Sequence, residues 1–252
     1  MSNIHFLDKG SGTPLVLIHG YCEHSNVWDP LIPSLSKNHR LLIPDLPGFG
    51  KTASTSNCDL NEISNQLYAW LTEIGIQECS LLGHSMGGYI VLAFEEQFPQ
   101  FSTSFGLFHS TSYADSEDKK KTRTGVSKFI RKYGRDKFIE SLVPALFYKD
   151  NSEKSYFRNF MSIALESNPQ SIVDYAIAMR DRPDRRHVLH SEKKPILFIS
   201  GKYDGVIPYE QSIEQADNYS HIRFCPLEDT GHMGMYEASE QCVSAIMTFF
   251  EE

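Results

Sequence analysis

Short apolar runs of strand length alternate with longer amphipathic stretches over the first 110 residues, and this alternation restricts the fold more than any other feature. The runs occupy residues 15–18, 41–43, 80–82 and 105–108. The spacing of apolar side chains between them predicts helices near residues 28–35, 60–74 and 87–97. Strands that are apolar at every position are typical of a parallel sheet covered by helices on both faces. The sequence therefore predicts βαβ units and an α/β fold.

The same rhythm returns near the end of the chain after a long interruption. Apolar runs at residues 195–200 and 222–224 flank a helical stretch near 210–217, and a last helix is predicted over 238–250. Between about 111 and 190 the strand-like runs disappear, and apolar residues take helical spacing instead, as at Val126, Phe129, Ile130 and Tyr133. We therefore expect a core domain of residues 1–110 and 191–252 with an all-helical insertion at 111–190.

The charge of the chain argues against nonspecific binding to nucleic acid. The formal net charge is −8, whereas displacement of phosphate counterions requires a basic surface. The charge is uneven, because residues 111–190 carry 16 Lys and Arg against 11 Asp and Glu, a net of +5. We interpret Lys119, Lys120 and Lys121 in this segment as a solvated helix face, and a role in binding an anionic group is the alternative.

Other features of the sequence exclude further classes of protein. No apolar run approaches the roughly 18 residues that a membrane-spanning helix needs. The first residues lack a basic start followed by an apolar core, so we expect a cytoplasmic protein. The five cysteines are scattered and contain no Cys-x-x-Cys pair, unlike a disulfide framework or a zinc site. We expect reduced thiols and no metal ion.

The segment Gly-His-Ser-Met-Gly at residues 83–87 stands directly between a predicted strand and a predicted helix. A serine on so tight a turn needs small neighbours, because its backbone is strained and the following helix approaches closely. Gly83 and Gly87 meet this need. Ser85 is therefore a candidate nucleophile at the tip of a strand, and an ordinary glycine-rich loop is the alternative.

A nucleophilic serine requires a histidine base and an acid that orients the histidine. Asp204 follows the apolar run at 195–200, and His232 follows the last predicted strand. Both lie where open α/β sheets build their sites, at the carboxyl ends of strands. Asp229 and Asp115 are alternative acids, although neither lies at the position matching Asp204, in the loop directly after the run at 195–200. The chain order Ser85, Asp204, His232 is one of the orders in which catalytic triads occur.

Together these motifs resemble those of the α/β-hydrolase superfamily, in the carboxylesterase-like branch with a serine nucleophile and a helical cap. The resemblance includes His19-Gly20 and Asp-Leu-Pro-Gly-Phe-Gly at 45–50, and it covers nearly the whole chain. It implies a mostly parallel central sheet flanked by helices, with the all-helical cap inserted between the sixth and seventh sheet strands, which are residues 105–108 and 195–200. It also implies that the backbone N–H groups of Tyr21 and Met86 form an oxyanion hole.

The motifs and the resemblance predict a serine hydrolase that needs no cofactor. His232 would accept the Ser85 proton, and an acyl-enzyme would form and be released by water. We expect a small or medium carboxylic ester as the small-molecule substrate, with His109, Val206 and Met233 as candidate pocket residues. The alternatives are a C–C bond hydrolase, a perhydrolase-like enzyme or a lyase of the same fold, and a ligand sensor with slow turnover.

Overall fold

The central sheet has seven strands in the residues that the computed structural model describes, which are 3–55, 58–149, 151–191, 194–217 and 219–251. Along the chain the strands are β1 (Phe6–Lys9), β2 (Thr13–Ile18), β3 (His39–Pro44), β4 (Cys79–His84), β5 (Ser102–Phe108), β6 (Ile196–Gly201) and β7 (Ile222–Leu227). Their order across the sheet is β1-β3-β2-β4-β5-β6-β7, and only the β1–β3 pair is antiparallel. The predicted mostly parallel sheet is confirmed.

The helices follow in the order α1 (Ile32–Leu35), α2 (Leu60–Glu73), α3 (Met86–Gln97), α4 (Glu117–Tyr133), α5 (Arg135–Leu142), α6 (Ser155–Leu165), α7 (Pro169–Asp181), α8 (Arg186–Ser191), α9 (Tyr209–Asp217), α10 (Gly234–Glu237) and α11 (Ser239–Phe250). Two short 3-10 helices occupy Ser25–Trp28 and Val143–Leu146. Among the described residues, none of the helices is long and apolar enough for a membrane crossing.

Residues of the inner strands face two separate apolar layers, one on each side of the sheet. In β2, Leu15 and Leu17 belong to the layer that includes Trp28 and helix α11. Val16 and Ile18 belong to the other layer, which includes helices α2 and α3. All four β2 side chains are buried. The segment 15–18 has no polar face because both of its faces are covered, and this is why it is apolar at every position.

The helix predicted over residues 28–35 is wrong. The structure has the 3-10 helix Ser25–Trp28 and the single turn α1 instead. Pro30 and Pro33 lie in this stretch, and a proline has no amide to donate inside a helix. Pro33 is accommodated in the first turn of α1, where the amides are unpaired in any case. The apolar spacing there reflects burial of Leu31 and Leu35 in two short turns.

Helices α4 to α8 lie between β5 and β6 and form the predicted cap. Strands β5 and β6 are the fifth and sixth strands of this chain. They contain the apolar runs at 105–108 and 195–200, which the family resemblance assigned to the sixth and seventh sheet strands. The cap position is therefore confirmed, while the domain limits at 110/111 and 190/191 stay a prediction. Cap residues Ile139, Phe160 and Ile172 share one buried cluster with Trp28 of the core. The cap is thus packed directly onto the layer beside β2.

Candidate active site

Ser85 lies on the sharp turn that joins β4 to α3. Its backbone has φ 51° and ψ −114°, in the left-handed half of conformational space that non-glycine residues rarely adopt. Two hydrogen bonds hold this turn against β5. The Ser85 amide donates to the Phe108 carbonyl at 2.9 Å, and the Ser110 hydroxyl donates to the Ser85 carbonyl at 2.7 Å. The surrounding backbone therefore maintains the strained conformation of the serine.

The glycines around Ser85 are required by close backbone contacts. A Cβ atom on Gly87 would collide with the carbonyl groups of Ile18 and His19, and one on Gly83 would collide with the backbone of Gly87. These obstacles are backbone atoms of the sheet and of the α3 N-terminus, so they cannot rotate away. The start of α3 consequently packs directly against the loop that follows β2.

We expect Gly87→Ala to lower the free energy of unfolding by about 1–3 kcal/mol or more, because the added methyl group overpacks this contact. Gly125→Ala is the matched control. Gly125 lies inside α4, and beyond its chain neighbours and the helix's own backbone no described atom is within 4 Å of an added Cβ, so alanine there should stabilise the protein by about 0.5–1 kcal/mol. Urea denaturation midpoints would measure both effects. A midpoint for Gly87→Ala equal to that of the wild type would contradict the close contact.

The structure brings Ser85, His232 and Asp204 into one hydrogen-bonded row. His232 Nε2 lies 2.8 Å from Ser85 Oγ, and His232 Nδ1 lies 2.7 Å from Asp204 Oδ2. A carboxylate can only accept, so Nδ1 carries the proton and Nε2 is left to accept from the serine hydroxyl. All three side chains are largely buried, and Ser85 keeps 8% of its surface exposed. This geometry suits proton transfer from Ser85 to His232.

Asp204 is held ionised by its surroundings. Its Oδ1 accepts from the amides of Val206 at 2.8 Å and Ile207 at 2.9 Å, in the loop that follows β6. Burial by itself would raise the pKa of Asp204. The nearby His232 and the hydrogen bonds from His109 and His232 outweigh burial and hold the pKa of this carboxyl well below its usual range. Asp204 is therefore an anion in the folded protein near neutral pH.

This lowered pKa predicts a pH dependence of stability. A carboxyl whose pKa is lower in the folded state stabilises the protein above the unfolded pKa of about 3.9, and this contribution is lost as the pH falls toward the folded pKa. The difference in unfolding free energy between wild type and Asp204→Asn should therefore stay nearly constant from pH 7 to about pH 5 and shrink as the pH falls below about 4. Denaturant titrations at each pH would measure it. A difference independent of pH would show that Asp204 is not held ionised.

The two alternative acids lie elsewhere. Asp229 is exposed at the surface. Asp115 is buried in the cap region, where its carboxylate pairs with Arg182 at 2.8 Å and with Arg123 at 3.2 Å. The geometry thus favours Asp204 as the partner of His232. Asp115 instead contributes to the ion-pair cluster between the β5 end and helices α4 and α7.

The two candidate oxyanion donors lie on segments that meet at the carboxyl end of the sheet. Met86 is the first residue of α3, and the first amides of a helix have no partner within the helix. Tyr21 follows the His19-Gly20 turn, whose shape is set by His19. The Leu46 amide donates to His19 Nε2 at 2.9 Å, and His19 Nδ1 donates to the Gly20 carbonyl at 2.8 Å. The loop that carries the Tyr21 amide is therefore rigidly attached to the sheet.

The cap touches this loop through the Tyr21 side chain. The Tyr21 hydroxyl donates to the carbonyl of Ile172 in α7 at 2.7 Å, and the ring lies edge-on to Phe138 of α5. The half-buried Tyr21 side chain thus links a backbone amide near Ser85 to two cap helices. A shift of the cap would therefore act on the position of the Tyr21 amide.

The candidate pocket residues have different environments. His109 and Met233 are both 0% exposed, and their role in lining a pocket stays a prediction. His109 Nδ1 lies 3.2 Å from Asp204 Oδ2, and burial lowers the pKa of His109 to about 4. His109 is therefore a neutral neighbour of the acid, and Met233 is a core residue. Val206 is half-buried at the edge of the cluster and keeps some accessible surface.

The basic residues at the start of α4 divide into two groups. Lys120 and Lys121 form surface ion pairs with acidic residues one turn earlier, at 2.9 and 3.0 Å, as a solvated helix face would. Lys119 instead donates to the Val206 carbonyl at 3.0 Å, and burial lowers the pKa of Lys119. Lys119 thus lies against the loop that follows β6. Lys120 and Lys121 lie on a solvated helix face, as predicted.

Two other groups of side chains carry atoms that can bind metals or act as nucleophiles. Donor atoms of His109, Asp204 and His232 lie within 4.8 Å of one another, a spacing that metal ligands can have. These atoms already contact each other at 2.7 and 3.2 Å within the row described above, so we assign no metal site to them. The five cysteines are free thiols, and burial raises the pKa of Cys79 to about 12 and that of Cys22 well above its usual value. Buried thiols of this kind are poor nucleophiles.

Sequence reasoning missed Glu237, which holds the loop of His232. Its carboxylate accepts from the amides of Gly231 at 3.0 Å, Met233 at 3.3 Å and Tyr148 at 2.7 Å. Tyr148 belongs to the cap, so Glu237 joins the cap to the histidine loop. In the sequence Glu237 resembles any acidic residue near a helix, because its partners are set by tertiary contacts.

Comparison with known proteins gives the family. Residues 13–239 match the family model described as the alpha/beta hydrolase fold, and the chain belongs to this family. The resemblance inferred from the Ser85, Asp204 and His232 motifs is confirmed at this level.

Particular relatives include several kinds of enzyme. The chain is 29% identical over 252 residues to the dihydrolipoyllysine-residue acetyltransferase component of the acetoin cleaving system of Pseudomonas putida, covering 96% of this chain and 64% of that protein. It is 25% identical over 273 residues to a 2-hydroxy-6-oxononadienedioate/2-hydroxy-6-oxononatrienedioate hydrolase of Paraburkholderia phymatum, covering 98% and 90%. The structure of a thermophilic esterase from Thermogutta terrifontis superimposes with a TM-score of 0.92 at 25% identity, covering 98% of this chain and 93% of that chain.

Proposed function

We propose that the protein is a serine hydrolase that cleaves small or medium carboxylic esters through an acyl-enzyme. The observation that carries this proposal is the row from Ser85 Oγ through His232 to Asp204, with contacts of 2.8 and 2.7 Å. A serine in such a row is activated because the base is within hydrogen-bond reach and is itself oriented by an anion. Similarity to the Thermogutta terrifontis esterase supports an ester as the substrate.

The reaction begins when His232 Nε2 takes the hydroxyl proton of Ser85 and Oγ attacks the ester carbonyl carbon. The carbonyl oxygen becomes an oxyanion, which accepts hydrogen bonds from the amides of Tyr21 and Met86. Collapse of the tetrahedral intermediate breaks the bond to the alcohol oxygen, and the alcohol leaves with the proton from His232. Water then attacks the acyl-enzyme by the same route and releases the acid. Asp204 stays ionised and stabilises the imidazolium of His232.

A C–C bond hydrolase is the second candidate function, and the relative from Paraburkholderia phymatum is the observation that favours it. Such an enzyme would act on a 2-hydroxy-6-oxo dicarboxylic acid, which carries two negative charges. Lys119 lies against the loop that follows β6, where it could meet an anionic group. The ester proposal is preferred because it requires only the serine, the base and the two amides.

Hydrolysis of a p-nitrophenyl ester series from acetate to decanoate tests the ester proposal. We expect a burst of p-nitrophenol equal to one per active site followed by steady turnover, with the highest kcat/KM on the shorter chains, because Ser85 lies in a largely buried site. A 2-hydroxy-6-oxo dienedioate assayed in parallel tests the alternative. Turnover of the dienedioate with no turnover of any ester, in a protein shown to be folded, would replace the ester proposal.

A further inference from the structure

A second histidine and carboxylate pair is buried directly behind His232. Glu23 is 2% exposed and His84 is 0% exposed. Glu23 Oε2 accepts from the Gly20 amide at 2.7 Å and lies 3.0 Å from His84 Nδ1. On the other side of the ring, His84 Nε2 lies 3.0 Å from the His232 carbonyl. A continuous chain of hydrogen bonds thus runs from the loop after β2 to the backbone of His232.

The protonation of Glu23 and His84 follows from the hydrogen-bonding groups that each of them contacts. A carbonyl oxygen only accepts, so His84 Nε2 carries a proton, and the carboxylate on the other side accepts a hydrogen bond from a second proton on Nδ1. Burial alone would lower the pKa of His84, but the charge and hydrogen bond of Glu23 and the His232 carbonyl outweigh it and raise this pKa. Burial likewise would raise the pKa of Glu23, and His84 lowers it. The pair is an imidazolium and a carboxylate.

The surroundings of His84 show why the pair matters to the candidate site. Its ring centroid lies 5.0 Å from that of His232 and 6.1 Å from that of His109, with Trp28 and Phe108 on its other sides. His84 also directly precedes Ser85 in the chain. At the far end of the hydrogen-bond chain, Gly20 directly precedes Tyr21, whose amide is a candidate oxyanion donor. The pair therefore touches the backbone next to the donor, the nucleophile and the base.

We propose that Glu23 and His84 are positioning residues that set the distance between the Tyr21 amide and His232. The inference rests on the proposed function, and the pair itself neither gives nor takes a proton in the reaction. The link is rigid because Glu23 and His84 are fully enclosed and each end is a backbone group. Loss of the link would allow the loop after β2 and the loop after β7 to move independently, and misplacement of catalytic groups by about 1 Å can cost about 100-fold in rate.

Substitutions at Glu23 separate side-chain length from charge. Glu23→Gln keeps the length, because its amide oxygen at the position of Oε2 accepts from both the Gly20 amide and His84 Nδ1. Glu23→Asp keeps the charge and shortens the reach by one methylene group. Positioning predicts that kcat falls about 10- to 100-fold in Glu23→Ala and Glu23→Asp, that KM stays within about 2-fold, and that Glu23→Gln retains most of kcat.

Glu95→Ala is the matched control. Glu95 is also a buried acid, paired with Lys194 at 2.8 Å toward the other end of α3. Its loss should lower stability and leave the kcat of the folded protein unchanged, as a merely structural role of Glu23 would. Rates are therefore referred to folded protein at a temperature where every variant is folded. If Glu23→Ala does not fold, the comparison of Glu23→Asp with Glu23→Gln decides the question.

The test also separates this inference from the ester proposal. The rate at which diisopropyl fluorophosphate modifies Ser85 depends on the base and on the donors and needs no ester substrate. A wild type that reacts rapidly while Glu23→Asp reacts at least 10-fold more slowly supports positioning, whether or not any ester is turned over. Equal rates and equal kcat in the wild type, Glu23→Ala and Glu23→Asp would overturn it, and so would a kcat lower in Glu23→Gln than in Glu23→Asp. Nitrogen NMR of the His84 ring in wild type should show both ring nitrogens protonated at pH 7.

Discussion

Replacing Ser85 by alanine should lower kcat for ester hydrolysis by about 10⁴-fold or more. The oxygen that attacks the substrate is removed, and His232 Nε2 loses its partner at 2.8 Å. The residual rate would come from substrate binding and the amide donors alone. The measurement is steady-state hydrolysis together with the burst of p-nitrophenol, which should disappear.

Ser80→Ala is the control for this variant. Ser80 lies in β4, the strand that leads to Ser85, at the end far from Ser85, and its hydroxyl contacts Thr103 at 3.0 Å and Ser104 at 2.8 Å. We expect kcat for this control to remain within about 2-fold of the wild type, because the Ser80 hydroxyl contacts only side chains at the far end of the strand. Retention of more than a tenth of the wild-type kcat in Ser85→Ala would show that another group is the nucleophile.

Replacing Asp204 by asparagine should lower kcat by about 10⁴-fold while the fold is retained. An asparagine presents either a neutral oxygen or an amide nitrogen to His232 Nδ1 across the present 2.7 Å contact. The amide nitrogen would select the wrong tautomer, which leaves Nε2 protonated and unable to accept from Ser85. Even the neutral oxygen would no longer stabilise an imidazolium in this buried site. Steady-state kinetics and circular dichroism on the same preparation would measure activity and fold.

Asp229→Asn provides the comparison, because Asp229 is three residues before His232 and exposed. We expect its kcat to stay within about 2-fold of the wild type. Asp115→Asn should lower stability through the ion pairs with Arg123 and Arg182 and leave the kcat of the folded protein much less affected than Asp204→Asn does. A large loss of kcat in Asp229→Asn with little loss in Asp204→Asn would assign the acid to Asp229.

Much of the fold could be predicted because its strands and long helices have local patterns. The apolar run at 80–82 lies in β4, and the helical spacing at 60–74 and 87–97 corresponds to α2 and α3. Strand β1 was missed because it is an edge strand whose residues are half-buried or exposed, so they form no apolar run. Helix α8 and the single turn α10 are too short for a period to be recognised.

The hydrogen-bonded row of Ser85, His232 and Asp204 could also be predicted, because each of these residues follows a strand that the sequence itself indicates. Ser85, Asp204 and His232 each follow a strand, and the carboxyl ends of parallel strands meet at one edge of the sheet. Their positions directly after strands therefore indicated that the three side chains would lie together. It did not indicate that His109 would contact Asp204 or that Met233 would be fully buried.

The sequence by itself determined the strands, the long helices, the need for glycine around Ser85 and the order of the three candidate catalytic residues. Those features depend on periodicity and on backbone sterics, which act over a few residues. Only the tertiary structure decided that Glu23 meets His84, that Glu237 joins the cap to the histidine loop, and that Lys119 turns inward. Glu23 and His84 are 61 residues apart along the chain. Such contacts depend on how whole elements pack, because a buried polar group must find its partner wherever the fold places one.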